Sequence, residues 1–510
     1  MKKVIFLFLL LPISLFAQQN PGWSKITKTF PFNLATNEMN EVIVAGDFVG
    51  SPIVEGVQLN SQGAEDLYVA KYDEAGNFLW INQIGCKDWE YSRALASDKE
   101  GNVYYAFITI DTMYVNGNLS NPFSKGFYLF KFSPTGNLLW HKNIGDAQIF
   151  EIAVDEQLNV YITGSYNQLH HKDTLIIQGD AENAFVAKYD QTGAELWAKV
   201  FDGPTSASIF QFQFHAGRKL IIIDQNQIAI GGTYFGYIHH GANSVSGAGT
   251  FVALIDSMGN PGDLYHFEGA TGIMNSMEFI ADDFYFNVSG YPGIGIISPT
   301  GNNTDRLVSL GLYKDRTASF GNRIFYIGMY DILYIGQDTI KAKNSDMVIA
   351  EIDLAGNIIS YTPGGSYEKT EEPMAMVTDS KGNLIIAGLN RGTDFNFAGF
   401  SFTEYGGYII KFDSQTLNVK TKEKRPVNFS LFPNPAKEWV TVNINLDKGS
   451  ELEISLLDIN GKTLKKENKG YQPVGASLIP FSVNDVPPGI YFIKVQTNEG
   501  LAFQKLIVGS

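Results

Sequence analysis

A stretch of about twenty residues recurs along this chain, and the recurrence limits its possible folds more than any other feature. Asp66 to Gly85 reads DLYVAKYDEAGNFLWINQIG. Near copies are Gly126 to Gly145, GFYLFKFSPTGNLLWHKNIG, and Asn183 to Gly203, NAFVAKYDQTGAELWAKVFDG. Each copy holds an apolar strand, a turn opened by Asp or Ser with Gly three residues on, and a second strand carrying Trp. In Asp73 to Asn77 the carboxylate can accept backbone hydrogen bonds, while Gly76 supplies the positive φ of a bulged hairpin. Asp190 to Ala194, Asp256 to Asn260 and Asp353 to Asn357 repeat this turn, and Ser133 to Asn137 and Ser298 to Asn302 use Ser-Pro. A calcium loop needs about six or more oxygens, and one Asp per turn falls short, so these are read as turns.

A weaker motif precedes each copy, as in Leu95 to Phe107, LASDKEGNVYYAF, and Met376 to Gly388, MVTDSKGNLIIAG. One unit is then a four-stranded antiparallel meander of propeller-blade length. First hairpins fall at Leu34 to Gly46, Leu95 to Phe107, Ile152 to Gly164, Ile221 to Gly232, Met277 to Gly290, Ala318 to Gly328 and Met376 to Gly388. The expected fold is all-β, a seven-bladed β-propeller over residues 18–419. The fifth unit is minimal after Tyr285, and Pro261 is expected to weaken the last strand of the fourth. The seventh lacks a Leu-Trp strand of its own. Gly22 to Phe30, GWSKITKTF, can supply that strand and close the ring; alternatively Thr416 to Thr421 does so.

These repeats resemble the SBBP-type bacterial β-propeller repeats and, more loosely, the quinoprotein and NHL propellers. The resemblance covers about 400 residues and implies a fold, not an activity.

Lys2 and Lys3 precede an apolar run from Val4 to Phe16, then Ala17, which is the pattern of a signal peptide over residues 1–17. No later apolar stretch is long enough to span a bilayer. Net charge is −15; residues 1–17 add two positive charges, Lys420 to Arg425 add three, and 429–510 is neutral, so residues 18–419 carry −20. Such a surface disfavours nucleic acid and anionic membrane as partners. Cys86 has no partner for a disulfide within the chain and is read as a small core residue.

From Phe429 onward the texture changes. FSLFPNPA opens a segment with a strand at Trp439 to Leu446, a hairpin signalled by Asn460-Gly461, Pro487-Pro488-Gly489 ahead of Ile490 to Gln496, and a last strand at Phe503 to Val508. Short alternating strands predict a small Ig-like β-sandwich. The ordered set F-P-N-P, L-x-D-x-x-G-K, L-x-x-G-x-Y-x-x-K-V and a final K-L-I-V resembles the type A C-terminal sorting domain of the type IX secretion system. The third element is matched loosely, by Val486 to Val495. The resemblance implies that 429–510 engages the type IX machinery and its sortase, that cleavage falls in the basic linker 420–428, and that the protein is secreted or held on the outer-membrane surface.

In such a meander all D-x-x-G-N turns share one face of the disc. The other face collects variable connectors, such as Phe48 to Glu65, Ser165 to Glu182, Tyr234 to Ala248 and Leu389 to Tyr405, and is the place for a ligand. Two connectors hold histidine pairs, His170-His171 and His239-His240, which adjacent units could bring together as metal ligands; without placed carboxylates the set is incomplete. Asp111-Thr112-Met113, Asp173-Thr174-Leu175 and Asp338-Thr339-Ile340 are similar to the O-glycosylation sequon of bacteria using this export route, and equally suit a turn into a short strand. Trp80, Trp140 and Trp197 recur at one position, which fits packing between units better than a quinone-type cofactor. No G-x-S-x-G, H-E-x-x-H or P-loop is present, no Cys-His pairing is seen, and no cofactor is implied. Asp282-Asp283 and Glu371-Glu372 form no acid/base pair legible from sequence. The resulting expectation is a binding or adhesion module for an extracellular glycan or protein, with a glycan-active enzyme or a structural surface-layer component as alternatives.

Overall fold

The computed structural model describes residues 22–509 except 118–122, 172–173, 202–215, 292, 300–309, 336–337, 367–368, 398–399, 413–428, 447–448, 459–462 and 498–500. Residues 1–17 and 420–428, Thr416 to Thr421 and Asn460-Gly461 lie outside the described residues. The chain divides into two compact units, Met1–Val419 and Lys420–Ser510.

Among its described residues the first unit forms seven successive antiparallel sheets of three to five strands, besides two short ribbons. Their first strands are Phe30–Thr36, Glu90–Ser97, Gly145–Val154, Ala216–Ile222, Met274–Ile280, Tyr313–Phe320 and Glu371–Thr378. Each touches the next in that order, and the seventh touches the first. The sheets therefore stand around an axis as a β-propeller. Middle strands such as Val42–Phe48 (VIVAGDF) and Val103–Thr109 (VYYAFIT) are covered on both faces by neighbouring sheets, which explains their continuous apolar runs. The outermost strand Leu138–Asn143 alternates between exposed and half-buried residues.

Trp23–Thr27 pairs antiparallel with Gly406–Phe412, with Trp23 opposite Lys411. The start of the chain thus completes the seventh sheet and covers an edge that would otherwise be open.

The repeated turns are built alike. Asp73 Oδ1 accepts from the Asn77 backbone N–H at 2.7 Å and Oδ2 from the Asn77 amide at 2.8 Å. Asp98, Asp155, Asp256, Asp353 and Asp379 hold the Asn four residues on in the same way. In each of four sheets a Trp lies directly across from a Lys: Trp80 from Lys71, Trp140 from Lys131, Trp197 from Lys188, and Trp23 from Lys411. The Trp side chain then reaches the following sheet. Trp80 Nε1 donates to the Pro134 carbonyl at 2.9 Å, Trp140 to Gln191 at 3.1 Å, Trp197 to Ser257 at 3.2 Å and Trp23 to Glu74 at 3.0 Å. The ring lies against the turn glycine. A Cβ on Gly76, at φ +82, would stand 2.7 Å from the Trp23 ring, so both the backbone and the contact demand glycine.

Two expectations are corrected. The fourth sheet is complete: Pro261 opens the outermost strand Pro261–Glu268 beside a bulge, where its missing N–H costs the ladder little. The connector Tyr234 to Ala248 is also not a loop. Gln227–His240 and Asn243–Asp256 pair continuously from Gln227↔Asp256 to His240↔Asn243, and long ribbons likewise extend the third and sixth sheets.

Among its described residues the second unit holds a three-stranded and a four-stranded sheet. Val440, Val442 and Ile444 of the first meet Ile454, Leu456, Ile493 and Val495 of the second in one buried core, a β-sandwich.

Candidate functional site

The seven first strands share an irregularity that has no signature in the repeat. Each carries a register shift against its second strand: Pro31/Asn33, Ser92/Ala94, Ile149/Glu151, Gly217/Lys219, Met274/Ser276, Tyr313/Arg316 and Pro373/Ala375. A bulge re-aims the extra side chain. Here Phe32, Arg93, Phe150, Arg218, Asn275 and Met374 line a cavity of about 410 Å³ on the axis, to which all seven sheets contribute.

The charge in this channel is specific. Arg93, Arg218 and Arg316 enter from the second, fourth and sixth sheets, accompanied by Lys219, Glu151 and Glu278. Lys219 Nζ is 2.6 Å from Glu151 Oε2. The Arg218 guanidinium carbon lies 3.8 Å from the centre of the Phe150 ring, a cation–π contact. Arg316 Nη1 donates to the Asp315 carbonyl at 2.8 Å. Arg93 Nε is buried without a hydrogen-bond partner, and burial lowers the pKa of both Arg93 and Arg316. Glu278 accepts from the Ser319 hydroxyl at 2.7 Å. Burial raises its carboxyl to about 7, against the opposing effects of Ser319 and Lys219.

The residues singled out from sequence are dispersed. His240 is buried, its Nε2 is 2.7 Å from the Leu254 carbonyl, and its ring stacks on Phe201; burial lowers its pKa. His239 is exposed beside Tyr237. His170 and His171 belong to the strand Val160–His171, and their side chains lie outside the described residues. Among the described residues no three His, Cys, Asp or Glu gather as a metal ion would require. Cys86 is buried in the core, its thiol raised to about 11 chiefly by burial. Thr112 is exposed, its N–H donating to Asp111 Oδ1 at 2.7 Å, and Met113 is buried. Glu371 is buried at the start of the seventh sheet, whereas Glu372 meets Lys314 and Arg391. Sequence reasoning missed the channel arginines. Their signal was faint: Arg is scarce in this chain, and three of these residues fall in the first strands of their units.

A β-propeller followed by a separate sandwich is the class that the sheets define. Residues 430–509 match the family described as the secretion system C-terminal sorting domain, and the second unit is that domain. The protein is accordingly exported by the type IX secretion system, to the cell surface or the medium. An uncharacterized WD repeat-containing protein of Acanthamoeba polyphaga mimivirus is 24% identical over 248 residues, covering 39% of this chain and 18% of that protein. This chain thus spans well under two thirds of that relative. The C-terminal WD40 domain of Sif2 is similar over 77% of this chain and 99% of its own, at 9% identity and TM-score 0.40. PorZ, a surface component of the type IX secretion system of Porphyromonas gingivalis, is similar over 94% of this chain and 70% of its own, at 12% identity and TM-score 0.30.

Proposed function

We propose that this protein is an exported binding module. In this reading a seven-bladed propeller is led across the inner membrane by residues 1–17, guided out by 429–510, and cut within 420–428. Outside the cell it captures a glycan or protein. The observation that carries the reading is the axial cavity, to which every sheet contributes, six of them with the side chain of a bulged residue.

Two experiments test it. Deleting residues 429–510 should leave the protein in the periplasm, and normal surface delivery of the truncated form would refute the role of the tail. A glycan and protein array probed with the purified protein should return a ligand, and a blank array would count against capture.

One observation favours a second reading. Glu151 and Glu278 share the cavity, and Glu278, raised to about 7 by burial, could donate a proton near neutral pH. Hydrolysis of a glycoside that Glu278→Gln abolishes, with the folded state unchanged, would move the protein to the enzymes.

A further inference from the structure

We propose that the axial channel binds a small oxyanion, the carboxylate of an acidic sugar or a sulfate ester, held by Arg93, Arg218 and Arg316. The proposal rests on the binding-module reading and adds the chemistry of the ligand.

The charge distribution makes the first part of the case. Residues 18–419 carry −20, yet the cavity gathers four cations against two carboxylates. Lys219 and Glu151 neutralise each other at 2.6 Å. Arg218 packs on the Phe150 ring, which leaves the guanidiniums of Arg93 and Arg316 in a cavity shared with Glu278, a carboxyl that takes its own hydrogen bond from Ser319. Positive charge gathered in one cavity calls for a counter-anion.

How the chain uses arginine elsewhere makes the second part. Of the described arginines outside the channel, Arg323 meets Glu351 at 2.6 Å and Arg391 meets Glu372 at 3.4 Å. Within the channel Arg316 has a backbone carbonyl instead, and Arg93 Nε, buried, has no acceptor among the described residues. For neither does a carboxylate stand within ion-pair distance among the described residues. The guanidinium fork matches the paired oxygens of a carboxylate or sulfate. Three forks from alternating sheets can approach one group from several sides, in a cavity of about 410 Å³ that suits a small organic molecule. Phe32 and Phe150 offer apolar surface to the rest of it.

The test is calorimetric titration of the purified protein with glucuronate, glucose 6-sulfate and glucose. At least one acidic sugar should bind where glucose does not, and the tighter of the two identifies the oxyanion. Arg93→Gln and Arg316→Gln should each weaken that binding about tenfold or more, and Arg391→Gln should leave it unchanged. Should either Gln variant melt well below the parent, Arg93→Lys keeps the charge but not the fork and should bind with intermediate strength. Equal weak binding of all three sugars would overturn the proposal, as would Arg variants that melt and bind like the parent. A ligand found on the array with affinity indifferent to Arg93 and Arg316 would leave the module reading standing and sink this one. A blank array together with blank titrations would remove both.

Discussion

Four junctions of the ring are closed by a lysine–tryptophan pair, from the seventh sheet round to the fourth, while the junction of the fourth and fifth sheets is closed by neither residue. Where the pair is present, both side chains converge on the next sheet. Gln191 O accepts from Trp140 at 3.1 Å and Lys131 at 3.2 Å, and Ser257 O accepts from Trp197 and Lys188, both at 3.2 Å. Pro134 O takes Trp80 at 2.9 Å and Lys71 at 3.4 Å. In the fourth sheet Leu254 stands where the others have Lys, and Asp263 where they have Trp. Both line a cavity of about 770 Å³ with Phe284, Tyr285 and Ile296 of the fifth sheet. In the sixth sheet Glu351 faces Ser360 at the same positions. The contrast shows that the visible sequence repeat is the record of one device. Where apolar packing of residues such as Met277, Phe267 and Phe286 joins the sheets instead, the repeat fades although the ring does not.

The comparison breaks most severely at the closure. Removing residues 22–30 deletes the strand opposite Gly406–Phe412 and the Trp23 contact to Glu74 together. It should lower the melting temperature more than any other change considered, because an unsealed ring exposes an edge along a buried strand. An unchanged melting curve would mean that the ring is closed without Trp23–Thr27.

Next comes the lysine itself. Lys71 is fully buried, 2.6 Å from Glu41 and 3.0 Å from the Gly101 carbonyl. Lys71→Met leaves Glu41 without its cation and should cost about 3–5 kcal/mol in chemical denaturation. The double change Lys71→Leu with Glu41→Leu imitates the apolar junction at Leu254 and should recover most of that loss. If the double variant is no more stable than the single, the clasp is more than an alternative to apolar packing, and the equivalence drawn between the two kinds of junction fails.

How much of this the sequence shows follows from the same contrast. Asp73 with Gly76, and Trp80 at its fixed spacing, are legible because turn chemistry and a large aromatic tolerate few substitutes. The closing strand is legible because Trp23 repeats the Trp position. The long ribbon at Gln227–Asp256 is not, since Gly236, Gly241 and Gly247 read as loop while cross-strand pairing supplies the order. Pro261 misleads because its harm depends on whether a neighbour needs its N–H, and at the head of an outermost strand none does. The channel arginines are hidden for a deeper reason. Arg93 and Arg218 are the extra residues of register shifts and Arg316 directly follows one, and register belongs to the pair of strands, not to the one strand that carries the residue.

A smaller effect separates the two ends of the clasped sheets. At the turn end, the Thr192 hydroxyl and the turn N–H groups hold Asp190 below the usual carboxylate range. At the other end, burial pushes Asp47 and Glu90 up to about 8 and Glu371 to about 7. An acid raised in the folded state gives stability that is complete below its unfolded pKa, about 4, and is lost as pH climbs through the folded value. An acid that is depressed gives stability lost only as pH falls below about 4. The melting temperature should therefore be highest near pH 5 and decline by several degrees toward pH 8. Glu90→Gln and Glu371→Gln should each flatten that decline. A profile that rises from pH 5 to 8 would contradict the protonated state assigned to these three acids.

The smallest expected effect isolates what tryptophan adds beyond its area. Trp140→Phe removes the indole N–H but leaves an aromatic ring near Gly193 and leaves Gln191 O still accepting from Lys131. Because that carbonyl keeps a charged donor, the loss should stay near or below about 1 kcal/mol. Adding Lys131→Met to Trp140→Phe strips the carbonyl of both donors, and the combined loss should exceed the sum of the single losses. If instead the two losses merely add, the shared carbonyl does not couple them. The recurring tryptophan would then be maintained by ring packing alone, as the phenylalanines of the fourth-to-fifth junction are.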